Sequence, residues 1–193
     1  LNVVGPVTAG TEAVRDGNVE LTATAGSIDL AADVTARSDT VRLTAPQGSI
    51  TQTAGVIDSA ALVWTAPAAP SLLPGNTFTT VGLNLTAPGN IRIPTAGSHS
   101  GQLVLGRVTT VDGNIIVDAD SVSISRLLQA GGVGKSVSVT ARSGGISFDV
   151  LGRIEQPSGP VTLSAAAGAI TNTNAVRVPN HVSAPNGLSL TAL

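Results

Sequence analysis

The run Ala130-Gly131-Gly132-Val133-Gly134-Lys135-Ser136 has the residue types of a phosphate cradle, with glycines ahead of a lysine and a hydroxyl. A standard phosphate loop carries a glycine five positions before Gly134, where Gln129 stands, and it opens a helix whose N-terminus holds the anion. Here Val137-Ser138-Val139-Thr140 follows, which alternates as a strand does. The run reads as a glycine-rich turn.

Carboxylates are the next candidates. Asp118 and Asp120 fall on one face of a strand, Asp29 and Asp33 lie close in sequence, and Arg126 is near enough to pair with the first two. Glycoside cleavage needs two carboxylates in a cleft with a placed partner, whereas solvated strand positions account for these acids without one. His99 and His181 are far apart and no cysteine joins them, so no zinc set is expected, and no cofactor is expected. The Thr-x-Thr pairs Thr22/Thr24, Thr51/Thr53 and Thr171/Thr173 are too sparse for an ice-binding ladder and read as solvent-facing strand residues.

Aromatic rings are scarce: Trp64, Phe78 and Phe148 are all there are. Trp64 and Phe78 flank residues 66–76, where Pro67, Pro70 and Pro74 accompany Leu72 and Leu73. Proline cannot donate to a ladder, so this segment is expected to be a protruding loop. Trp64, Leu72, Leu73 and Phe78 are the residues expected to touch a ligand, if the Trp64 ring stands exposed. The competing expectation is that the ring packs beneath the loop and fills a gap in a small-residue core. Residues 94–101, with Pro94, Gly97, His99 and Gly101, are a second expected protrusion.

The elements that would carry these residues repeat. An apolar residue, Thr or Ser, Ala, a Gly-bearing turn and Ile recur as Leu21-Thr22-Ala23 with Gly26 and Ile28, and as Leu43-Thr44-Ala45 with Gly48 and Ile50. Further copies start at Leu85, Val139 and Leu163. Their spacing gives a period of roughly 21–27 residues, in the solenoid range. A longer repeat lies above it, Leu43–Ile57 matching Leu163–Arg177 at an offset of 120 and Leu21–Leu30 matching Val139–Phe148 at 118. Between turns the residues alternate with period two, as in Val19, Leu21 and Ala23 against Glu20 and Thr22. No stretch has helical periodicity. The fold expected is all-β, a right-handed parallel β-helix of about nine coils and roughly 40 Å, forming one segment over 1–193.

Composition agrees. The chain is 42% hydrophobic and 11% charged, which argues against disorder, and a net charge of −2 offers nothing to attract nucleic acid. With no Cys there is no disulfide, and with no Met residue 1 is no initiator. The chain therefore reads as a processed product, or as a fragment or stacking unit of a longer rod. No apolar run is long enough for a membrane-spanning helix, and no membrane insertion is expected.

The run Gly48-Ser49-Ile50-Thr51-Gln52-Thr53-Ala54-Gly55-Val56-Ile57, preceded by Leu43-Thr44-Ala45, resembles the repeats of the filamentous haemagglutinin family, the large exoproteins of Gram-negative two-partner secretion, related in architecture to autotransporter passengers. The resemblance is one of repeat style across nearly the whole chain. It implies a secreted, cell-surface β-helix exported through an outer-membrane transporter, with a non-catalytic role in adhesion, biofilm or cell contact. The partners it implies are a glycan or protein on a host or neighbouring cell, or the rod itself end to end. A self-assembling extracellular filament subunit and a carbohydrate-active β-helix enzyme are the alternatives.

Overall fold

The computed structural model describes residues 1–10, 17–68, 72–73, 75–94, 102–156, 158–172, 182–184 and 187–192. In chain order they form β1 (Asn2–Val3), β2 (Val7–Thr8), β3 (Val19–Thr22), β4 (Ile28–Leu30), β5 (Val34–Thr44), β6 (Ile50–Gln52) and β7 (Ile57–Ala66). There follow β8 (Thr80–Leu85), β9 (Ile91–Pro94), β10 (Gln102–Thr110), β11 (Ile115–Ala119), β12 (Ser121–Ile124), β13 (Leu127–Ala130) and β14 (Val137–Ala141). The last six are β15 (Ile146–Phe148), β16 (Arg153–Glu155), β17 (Val161–Ala165), β18 (Ile170–Asn172), β19 (Val182–Ser183) and β20 (Leu188–Ala192). The fold is all-β, and every strand pairing in it is parallel.

Alternation explains why these segments became coils. Each strand turns its Val, Ile, Leu or Ala inward and its hydroxyl or charged neighbours outward, and identical registers then stack like on like. One inward row runs Leu21, Leu43, Trp64, Leu83, Val108, Leu128, Ile154, Val182, each paired with the next. A second runs Val19, Val41, Leu62, Val81, Leu105, Ile124, Phe148, and its register ends at the exposed Asn172. Seven steps separate the ends of each row. The molecule is a β-solenoid of about seven turns, not the nine expected. At roughly 4.8 Å per step the stack is about 34 Å long. The expectation was high because it assumed a near-constant period. The first row advances by 22, 21, 19, 25, 20, 26 and 28 residues, and the turns lengthen toward its end.

Each coil has three faces. The first carries β3, the C-terminal parts of β5, β7 and β10, then β8, β13, β16 and β19. The third carries β2, the N-terminal parts of β5, β7 and β10, then β12, β15 and β18. Both belong to one twelve-stranded sheet, because β5 and β10 bend from face to face through register shifts, Ala36/Thr40 and Leu105/Val108. The second face is split into a three-stranded sheet (β1, β4, β6) and a five-stranded one (β9, β11, β14, β17, β20).

The five copies of the sequence repeat do not form one ladder. Leu21 lies beside Leu43 on the first face, and Val139 beside Leu163 on the second. Leu85 pairs with Ala66, two residues along the strand from the Leu43–Trp64 pair. The long repeat therefore returns a third of a turn out of phase. Its match was real as sequence, but the corners that consume a variable number of residues decide which face a copy occupies.

Glycine marks corners where coils touch through backbone. A Cβ on Gly48 would sit 2.1 Å from the Gly26 carbonyl oxygen, and one on Gly113 would sit 1.9 Å from that of Gly89. Only a residue without a Cβ fits there.

Candidate functional site

Four residues were expected to meet a ligand, and the structure buries two of them. Trp64 is 0% exposed and is the largest fully buried side chain; Phe78 is buried at 5%. Leu72 is half-buried against the core, and Leu73 is half-buried as well. The exposed-platform expectation for Trp64 is thus overturned in favour of packing. The reason is register: Trp64 occupies an inward position between Leu43 and Leu83, so alternation gives its ring no route outward. Its indole N–H finds no hydrogen-bond partner among the described residues.

Of the proline-rich segment expected to protrude, residues 66–68, 72–73 and 75–76 are described. Its Leu73 and Asn76 are tied to Gln52, at the end of β6, while Pro70 and Pro74 lie outside the described residues. The Gln52 side-chain amide donates to Asn76 Oδ1 (2.9 Å) and to the Gly55 carbonyl (2.9 Å), while Gln52 Oε1 accepts from Asn76 Nδ2 (2.8 Å) and from the Leu73 N–H (3.1 Å). Asn76 Oδ1 also accepts the Ile57 N–H at 2.8 Å. Both amides are buried, at 3% and 4%. Such a reciprocal pair satisfies the groups that would otherwise lose water without compensation. Sequence reading took Gly75-Asn76 only as a turn and missed this role; a polar residue at an inward position of an alternating strand, Gln52, was the available signal.

The other Gly-Asn dipeptides work the same way across coils. Asn18 Oδ1 accepts the Thr40 N–H (3.0 Å), Asn90 Oδ1 accepts the Asn114 N–H (2.8 Å), and Asn114 Oδ1 accepts the Ser136 N–H (2.8 Å). Acids serve likewise. Asp33 Oδ1 takes the Val56 N–H at 2.9 Å, and Asp39 Oδ2 takes that of Gly17 at 2.8 Å.

Asp118 and Asp120 do lie together, but their partner is Arg142, one coil on, at 3.3 and 3.6 Å, and not Arg126. The cause is again the ladder: Ala119 pairs with Ala141, which brings residue 142 beside residue 120. These side chains are each over a third exposed, so the cluster is a surface ion pair of small energetic weight. Asp29 is exposed on β4 and does not join Asp33 in a site.

The glycine-rich run 130–136 is a corner between β13 and β14, both strands, so no helix N-terminus faces it. Gly132 and Gly134 take left-handed φ values of 89° and 71°. Lys135 is engaged by Asp112 at 3.4 Å, its carbonyl accepts the Gln156 amide, and the Gly132 carbonyl accepts Ser158 Oγ at 2.8 Å. The run is filled by its own neighbours.

The threonine pairs fall on three different faces, with Thr22 on β3, Thr51 on β6 and Thr171 on β18, so they form no common plane; Thr173 lies outside the described residues. His99, His181 and most of the second expected protrusion, 95–101, lie outside them too. Among the described residues no three His, Cys, Asp or Glu side chains group to hold a metal ion. Nor is there among them a helix long and apolar enough to cross a membrane.

No protein-family model, curated protein or solved structure matches the chain.

Proposed function

We propose that this chain is a structural and adhesive rod segment of a secreted bacterial cell-surface protein. The observation that carries the reading is the pair of stacked rows, each eight positions deep and paired without a break from Val19 and Leu21 to Asn172 and Val182. A core built this way grows along one axis, so its natural product is reach. The polar side chains described above are spent on joining one coil to the next, as in the Asn90–Asn114–Ser136 series. The lack of Cys suits export unfolded through an outer-membrane transporter, and the haemagglutinin-like repeats point to the same route. The partner proposed is a glycan or protein on a neighbouring or host cell.

The carbohydrate-active alternative would stand on Asp118, Asp120 and Arg142. One experiment separates the two. The purified chain is coated on beads, attachment to cells is counted, and linear polysaccharides incubated with it are assayed for new reducing ends and for unsaturated uronate absorbance. Attachment without cleavage is the expected outcome. Cleavage that disappears in an Asp118→Asn/Asp120→Asn variant would replace the rod reading with an enzyme.

A further inference from the structure

We infer that the corner between the third and first faces that carries Arg107, Arg126 and Arg153 docks a linear acidic polysaccharide whose sugars each bear a carboxylate. The inference rests on the adhesive reading above and narrows its partner to a polyuronate. Arg142, not Arg126, holds Asp118 and Asp120, so Arg126 is left for another anion. Arg107 stands where β10 bends between Leu105 and Val108, Arg126 between β12 and β13, and Arg153 at the start of β16. These positions are one corner on three successive coils. Val108 pairs with Leu128 and Leu127 with Arg153, so Arg107 and Arg153 share a column two coil steps apart. The Arg153 N–H donates to the Arg126 carbonyl at 3.0 Å, and all three arginines are exposed.

Charge decides what such a corner can hold. Elsewhere a cation is answered by a carboxylate, as Arg37 is by Asp58, Lys135 by Asp112, and Arg142 by Asp118 and Asp120. Arg153 has Glu155 at 2.7 Å, but among the described residues Arg107 and Arg126 have no carboxylate within ion-pair distance. Asp149 and Glu155 are the acids nearest this corner in the chain, so it keeps a net positive charge in a protein whose total is −2. A guanidinium is a planar fork that matches a carboxylate with two parallel bonds. Repeated once per coil, about 4.8 Å apart along the axis, the forks keep step with a sugar chain that offers one carboxylate per residue. Val150 and Leu151 at the same corner are 60% and 51% exposed, and give the apolar C–H faces of sugar rings a surface to lie on. Each contact is weak, so a polymer that meets several at once is held where a single sugar acid is not.

The test is biolayer interferometry of the purified chain against polygalacturonate, the same polymer with its carboxylates reduced to alcohols, dextran sulfate, and phosphatidylserine vesicles. Binding to polygalacturonate and not to the reduced polymer is expected. It is expected to weaken about tenfold in Arg107→Gln/Arg126→Gln. Arg92→Gln, which alters an exposed second-face arginine, is expected to leave it unchanged. Attachment of beads coated with the same protein to cells is counted in parallel. Beads that attach to cells while the chain does not bind polygalacturonate overturn the corner and leave the adhesive reading standing; a chain that binds neither overturns both. Dextran sulfate held more tightly than polygalacturonate, or vesicles bound in its place, overturns the polyuronate as occupant. Binding unaffected by the double variant, or weakened as much by Arg92→Gln, overturns the corner as the site.

Discussion

The second face of the rod exists in two versions. From Ile91 onward it is a five-strand ladder in which Ala119, Ala141, Ala165 and Ala192 stack in a column of methyl groups. At the Trp64 coil, among the described residues, no second-face strand is formed; the Gln52 and Asn76 amides are buried there and bonded to each other, and the core holds the Trp64 indole. In the first version the backbone supplies the cohesion and the side chains need only be small. In the second, among the described residues, one large ring adds volume and two buried side-chain amides add hydrogen bonds to those of the backbone. The same width of core is closed by two different means.

Three substitutions sharpen that contrast. Trp64→Ala removes the largest fully buried side chain, and should cost about 3–5 kcal/mol of unfolding free energy. Urea titration followed by far-ultraviolet circular dichroism measures it, and a loss below about 1 kcal/mol would mean that the ring is not what fills the gap. Gly113→Ala tests the regular part of the rod. The new methyl meets the Gly89 carbonyl oxygen at 1.9 Å, so two coils must separate, at a cost of about 1–3 kcal/mol in the same titration. Smallest is Arg142→Ala, which unpairs two exposed carboxylates and should change stability by less than about 1 kcal/mol, with the difference shrinking further in high salt. A large loss there would show that the regular face, too, relies on side chains.

Much of the fold was legible because alternation is a local property. Val19, Leu21, Val41 and Leu43 announce inward positions by spacing alone; Val19, Val41 and Leu43 are buried, and Leu21 packs half-buried against the core. Parallel stacking followed from the recurrence of one pattern. The turn count and the overlay of copies were not legible, because corners such as the register shift between Leu105 and Val108 absorb residues without leaving a periodic trace. The candidate site fared worse. Proline-rich composition marked residues 66–76 as irregular, but whether an irregular segment projects or lies flat depends on partners distant in sequence. Here the partner is Gln52, 24 residues from Asn76. Asp118 and Asp120 drew attention correctly as a pair, while Arg142 was hidden for the same reason.

By itself the order of residues determined that this chain is all-β, that it winds in repeated coils, and which side chains face inward. These follow from the two-residue period of a strand and the cost of exposing apolar surface, both readable within a few neighbours. Only the tertiary structure decided which coil meets which, that the tryptophan is sealed in, and that the Gln52 and Asn76 amides are buried against each other. Those outcomes depend on contacts roughly twenty residues apart, and such contacts are set by how much chain each corner consumes.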